Sequence, residues 1–136
     1  MIIIGDADVL IALFLEEDSH YEEASKISKY LYSEGHTVIF PNTAIAEAIT
    51  TLHRKLANPT VADLLVQHYK KGLFEVEYVD EYIMQEAAEI YNPKGSKKNT
   101  FFDALVAATA KKLNAQTIFS FDTWYQKLGF KLASDL

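Results

Sequence analysis

Cysteine is absent from the 136-residue sequence. Disulfides, thiolate metal sites, iron–sulfur clusters and a cysteine nucleophile are therefore excluded. Glycine and proline are scarce, at 5 and 3, and scattered, so the chain has no linker, low-complexity tract or internal repeat. Met1-Ile-Ile-Ile-Gly5 is apolar but too short for a signal peptide or a membrane span, and no basic stretch precedes it. The expectation is a cytoplasmic protein with no membrane partner. No GxxxxGK[ST], GxGxxG, HExxH or GxSxG motif occurs. The four histidines (His20, His36, His53, His68) show no ligand spacing and are expected at the surface. Positive charge is not in excess either: 13 Lys and Arg face 19 Asp and Glu, for a net charge of −6, which is no electrostatic footprint for nucleic acid.

Hydrophobic residues make up 49% of the chain, enough for one real core, and the length fits a single domain over residues 1–136. Ile2–Ile4, Thr37–Phe40, Phe74–Tyr78 and Thr117–Phe121 read as strands, with Phe130–Leu132 as a last short one. Alternation of Phe74, Val76 and Tyr78 with Glu75 and Glu77 places that strand near a sheet edge. Between them lie helical stretches: Val9–Leu15; one opened by the capping box Ser19/Glu22 and running to Ser33; Thr43–Leu56; one capped by Thr60 with Asp63 and running to Lys71; Asp80–Tyr91; Thr100–Leu113; and Thr123–Leu128. Asn92–Asn99 is a polar, basic loop. Strands alternating with helices mean an α/β fold, a three-layer α/β/α sandwich around a mainly parallel sheet. Such sheets bind ligands beyond the carboxyl ends of their strands.

The acidic residues gather where that rule points. Asp6 follows the first strand and Asp122 the strand Thr117–Phe121. Asp103 lies in the first turn of the helix opened by Thr100, and Glu47 near the start of the helix after the second strand. Four carboxylates from four segments can thus reach one sheet edge. Crowded carboxylates repel unless a cation joins them, and an all-oxygen donor set selects a hard ion, Mg²⁺, Mn²⁺ or Ca²⁺. Such a site activates water and stabilises the leaving oxygen of a phosphodiester. Setting these four and the neighbouring Asp8 aside leaves 14 acids against 13 basic residues, so the acidity is compatible with a metal site.

Blander readings stand beside this one. Asp6, Asp103 and Asp122 all sit where a carboxylate caps a helix. Glu47 shares a helix side with Thr43, Thr51 and Arg54, opposite the apolar Ile45–Leu56 stripe, and that side reads as a solvated face. Trp124 and Tyr125 fill a core edge or stack on a base. Lys94, Lys97 and Lys98 form a solvated loop or touch a phosphate backbone.

Taken together, Ile2-Ile-Ile-Gly-Asp6, Ala46-Glu47, Thr100-Phe-Phe-Asp103-Ala-Leu-Val-Ala-Ala-Thr-Ala110 and Ile118-Phe-Ser-Phe-Asp122 resemble the PIN-domain family, and within it the small VapC-like toxins. The resemblance covers nearly the whole chain. It implies an endoribonuclease that uses Mg²⁺ or Mn²⁺, with Asp6, Glu47, Asp103 and Asp122 as catalytic metal ligands. It also implies a small antitoxin as partner, and a homodimer. Thr43 and Thr100 match positions where members carry a hydroxyl near the acids. Ala7-Asp8 departs from the hydroxyl or amide residues usual after the first aspartate, and Asp8 adds a carboxylate beside the ligands. Other readings are a housekeeping PIN nuclease that processes RNA, a haloacid-dehalogenase-like phosphatase suggested by Asp6-x-Asp8, a receiver-like domain, and a catalytically inactive binding module.

Overall fold

A computed structural model describes all residues from Met1 to Leu136. Five strands form one sheet: β1 (Ile2–Gly5), β2 (Thr37–Pro41), β3 (Glu75–Glu77), β4 (Thr117–Phe119) and β5 (Lys131–Leu132). Their order is β3-β2-β1-β4-β5 and every pairing is parallel. The half-exposed strand at Phe74–Tyr78 is indeed an edge. Seven helices connect the strands: α1 (Ala7–Phe14), α2 (Tyr21–Ser33), α3 (Asn42–Thr50), α4 (Pro59–Lys70), α5 (Glu81–Ile90), α6 (Phe101–Lys112) and α7 (Trp124–Lys127). None is long and apolar enough to cross a membrane.

The sheet is buried on both faces because its central strands are apolar at consecutive positions. Ile4, Phe40 and Ile118 point to one side, into a core completed by α3, α4 and the Ala-rich face of α6. Ile3 and Phe119 point to the other, against Ala24 and Leu31 of α2. The result is the α/β/α sandwich expected from the alternating pattern. Gly5 is required by close approach: a Cβ there would stand 2.2 Å from the Phe40 ring.

Several local expectations are corrected. No Ser19/Glu22 box forms; Asp18 instead accepts the His20 N–H at 2.8 Å just before α2. The cap of α4 is Asn58, which accepts the Val61 N–H at 3.0 Å and leaves Pro59 to begin the helix, the position where proline's missing N–H does no harm. The helix expected over Thr43–Leu56 changes character at Thr51. Thr51–Lys55 is a π-helical turn closed by Leu56 N–H to Thr51 C=O at 3.0 Å. Its apolar stripe belongs mostly to the core, with Ile45 and Leu52 buried. His68 is not free on the surface but packs against Phe14 and Phe74, with ring centroids 5.1 and 4.6 Å away.

Candidate functional site

The carboxyl ends of β1 and β4 are adjacent, and their ladder continues one residue further: the Asp6 N–H donates to the Phe119 carbonyl at 3.0 Å. That bond fixes Asp6 beside the turn that carries Asp122. Asp6 also caps α1, its Oδ1 accepting the Ala7 N–H at 2.7 Å. Its Oδ2 takes two hydroxyl donors, Tyr125 at 2.7 Å and Ser120 at 3.2 Å. The Tyr125 ring is fully buried, and its hydroxyl lies 3.5 Å from Asp103 Oδ1 as well.

Asp103 caps α6, as its place in the first turn predicts, and lines the acidic cavity as well. Its Oδ2 accepts the Thr100 N–H at 3.0 Å, completing a capping box with the Thr100 side chain. Its Oδ1 faces Tyr125 and the acids. Asp122 is gripped from two sides, by the Asn99 amide at 2.9 Å and by the Trp124 N–H at 2.9 Å. Asp8, in the first turn of α1, reaches back to the turn after β4: its Oδ2 accepts the Phe121 N–H at 2.8 Å and the Ser120 hydroxyl at 3.0 Å. Ser120 Oγ in turn accepts the Asp122 N–H at 3.1 Å. This one hydroxyl thus ties three of the acidic residues together.

A cavity of about 220 Å³ is lined by Asp6, Asp8, Glu47, Asp103 and Asp122, together with Thr51 and Lys98. Glu47 is half-buried and faces this cavity, so the solvated-face reading of its helix side does not hold. Thr43 does not line the cavity; its hydroxyl is buried without a hydrogen-bond partner. Thr100 caps α6 and borders a neighbouring cavity. Lys98 lines the acidic cavity without forming an ion pair with any of its carboxylates. Sequence reasoning put Thr51 on the Glu47 side of its helix and the Tyr125 hydroxyl only at a core edge, and it missed Ser120 and Asn99. Their one signal was position, just after a strand or just before Thr100.

Burial dominates the electrostatics. It raises Asp6 above the ordinary carboxylate range, against the hydrogen bonds from Tyr125, Ala7 and Ser120. Asp8 is pushed up to about 8, by burial first and then by the charge of Asp6. Glu47 and Asp103 are each pushed up to about 7, by burial and then by the neighbouring carboxylates. The Tyr125 hydroxyl is driven upward by burial and then by the charges of Asp6 and Asp103. The metal-free site therefore retains protons near neutrality that a cation would displace.

The donors suit a hard divalent ion: every one is a carboxylate or hydroxyl oxygen, and no sulfur or imidazole is among them. Asp8 Oδ1 is buried and makes no hydrogen bond of normal geometry, the kind of unspent acceptor that a cation satisfies. No three of the side chains yet converge on one point at coordinating distance. Repulsion between carboxylates opposes such convergence, and the Tyr125 and Ser120 hydroxyls occupy part of their lone pairs instead.

Comparison with solved structures finds the same architecture. VapC20 from Mycobacterium tuberculosis, described as a sarcin-ricin loop cleaving toxin, superposes with a TM-score of 0.77 at 22% identity, over 94% of this chain and 95% of that one. FitAcB from Neisseria gonorrhoeae gives 0.69 at 20% identity, over 97% and 96%. VapBC2 from Rickettsia felis, bound to a DNA fragment from their promoter, gives 0.60 at 14% identity, over 97% of both chains. At these identities the likeness concerns the fold. Comparison with curated proteins gives no significant match. The sequence itself matches the PIN domain model over residues 3–131, which spans all five acids and nearly the whole chain, and so the chain belongs to the PIN domain family.

Proposed function

We propose that this protein is a divalent-cation-dependent endoribonuclease, a VapC-like toxin working as a single PIN nuclease domain. The observation that carries the proposal is the one cavity bordered by Asp6, Asp8, Glu47, Asp103 and Asp122, with a buried carboxylate oxygen of Asp8 left unpaired. Asp6, Glu47, Asp103 and Asp122 are the residues that would hold Mg²⁺ or Mn²⁺. The bound ion would supply an activated water and a counter-charge for the phosphate. Tyr125 and Ser120 orient Asp6 through their hydroxyls, and Asn99 orients Asp122. Lys98 stands at the rim as the one basic side chain beside the acids, able to meet a phosphate oxygen. Ser120 and Phe121 already engage Asp8, which argues against its use as a free acid/base in a dehalogenase-like phosphatase.

The toxin reading draws support from VapC20 and FitAcB, and a small antitoxin is the partner it calls for. A homodimer has a suitable surface: Ala46, Ile49, Val66, Tyr69 and Tyr78 line an apolar groove of about 230 Å³, and Tyr69 and Tyr78 are themselves exposed.

The decisive experiment compares cleavage of a mixed RNA panel and of a phosphatase substrate in Mg²⁺, Mn²⁺ and EDTA, with Asp6→Asn and Asp103→Asn as controls. Metal-dependent RNA cleavage lost in both variants establishes the proposal. Phosphatase turnover that survives Asp103→Asn refutes it. Sedimentation at micromolar concentration tests the dimer.

A further inference from the structure

A second cavity adjoins the acidic one. Its volume is also about 220 Å³, and Tyr91, Asn92, Ser96, Asn99, Trp124 and Lys127 contribute to its walls. The basic loop after α5 forms one wall and the start of α7 the other. The two aromatic residues are braced from behind: Tyr91 packs on Phe101 with centroids 5.7 Å apart, and Trp124 on Tyr125 at 5.2 Å. Trp124 is only half-buried, so part of its ring is free for a further partner.

The polar groups of this cavity are largely unspent. Asn92 Oδ1 accepts the Lys94 N–H at 3.0 Å, which leaves its amide NH₂ available. Ser96 Oγ accepts the Lys98 N–H at 3.2 Å, which leaves its hydroxyl proton available. The Asn99 amide donates to Asp122, which leaves its carbonyl oxygen available. Aromatic surface combined with neutral amide and hydroxyl groups suits a flat heterocycle that carries both donors and acceptors.

The two cavities are linked through Asp122. Asp122 lines the acidic one, and both groups that grip it, Asn99 and the Trp124 N–H, belong to the second. Consecutive residues Lys98 and Asn99 line one cavity each. A strand of RNA alternates in the same way, with a charged phosphate followed by a flat base. We infer that the Trp124 cavity is a subsite for one unpaired nucleobase next to the cleaved phosphate, with Trp124 as its stacking platform and Asn92, Ser96 and Asn99 as groups that read its edge. This rests on the nuclease reading and adds to it the place where an unpaired base is recognised.

Trp124 is the sole tryptophan beside eight tyrosines, so fluorescence excited at the red edge, where tyrosine does not absorb, reports this cavity. The probes are 2′-O-methyl tetranucleotides, which resist hydrolysis, and the same oligomers with one abasic position. Binding is followed in parallel by anisotropy of an end-labelled oligomer, and 5′-nucleoside monophosphates test whether a free nucleotide suffices. The expected result is that binding quenches Trp124 and that the abasic oligomer placed over the cavity binds roughly tenfold more weakly, the scale of one lost stack. Trp124→Ala weakens the intact oligomer by a similar factor, Trp124→Phe retains most of the affinity, and circular dichroism confirms that both are folded. An oligomer that binds by anisotropy while fluorescence stays unchanged, or that tolerates every abasic position equally, overturns the subsite and leaves the nuclease proposal intact. Neither binding nor cleavage of any RNA removes both.

Discussion

The Tyr125 hydroxyl donates to Asp6 Oδ2 at 2.7 Å across 119 residues of sequence, joining the end of β1 to α7 in the interior. Asp6 is 4% exposed and Tyr125 not at all, so neither group can exchange this bond for one to water. Tyr125→Phe should lower stability in EDTA by about 1 to 3 kcal/mol, the cost of leaving a buried hydrogen-bonding group without its partner. A saturating divalent cation should shrink the loss, because the ion then satisfies Asp6. Denaturant unfolding with and without metal measures both, and equal losses in the two conditions would contradict the link between Tyr125 and the ion.

Stability of the metal-free protein should fall as pH rises from about 5 to 8. Asp6, Asp8, Glu47 and Asp103 all have folded values above their ordinary ones, Asp8 near 8 and Glu47 and Asp103 near 7. The folded state therefore holds protons that the unfolded chain has already released, and the stabilisation is present at low pH and lost through this window. Asp80 behaves oppositely, lowered by its hydrogen bond to Lys112, but its contribution changes only at more acid pH. Thermal melts at pH 5.5, 7 and 8.5 in EDTA test the slope. Mn²⁺ should flatten or reverse it, since the cation needs the deprotonated carboxylates.

Asp8→Asn should separate stability from activity. The amide oxygen can still accept from Ser120 and Phe121, while a buried charge beside Asp6 is removed. We expect a metal-free protein more stable by roughly 1 to 2 kcal/mol at pH 8, with RNA cleavage reduced about tenfold, as when a group that orients a metal ligand is lost. Asp8→Ala, which leaves the Phe121 N–H without its partner, should lose the stability gain as well. Paired melts and cleavage rates distinguish the two variants.

Gly5→Ala places a methyl group against the Phe40 ring, which is itself in the core. Overpacking of this kind destabilises by about 1 to 3 kcal/mol. Because Asp6 is the next residue, metal affinity should weaken alongside stability. Gly35→Ala offers a contrast: nothing lies within 4 Å of the added carbon there, and the strain comes only from a φ of +76°. It should leave metal binding unchanged in a calorimetric titration.

The layered fold was legible because the helical and strand periods alternate without interruption and no competing signal disturbs them. Asp6 and Asp122 were legible for a related reason, since Asp6 follows β1 directly and Asp122 lies in the turn just past β4, which ends at Phe119 rather than Phe121. Glu47 was named from its place near a helix start and from the family resemblance, while periodicity alone left it on a solvated face, because it separates apolar from polar sides and is silent about whether a polar side meets solvent or other acids. Ser120 and Tyr125 act through partners 112 to 119 residues away, a relation that no local pattern encodes. At Asn58 the nearest residue able to cap prevailed over the Thr60 and Asp63 pair. The π turn at Thr51–Lys55 has no composition of its own: the same residues would serve an α-helix.

Strand β4 lies between β1 and β5, paired through Ile3↔Thr117 and Ile118↔Leu132. The acids at the two ends of the proposed centre are thus separated by most of the polypeptide. Contacts of such long range form late, and synthesis delivers Asp122 and Tyr125 long after Asp6. A nascent chain therefore lacks the full carboxylate cluster until β4 and α7 have been made and have packed beside β1.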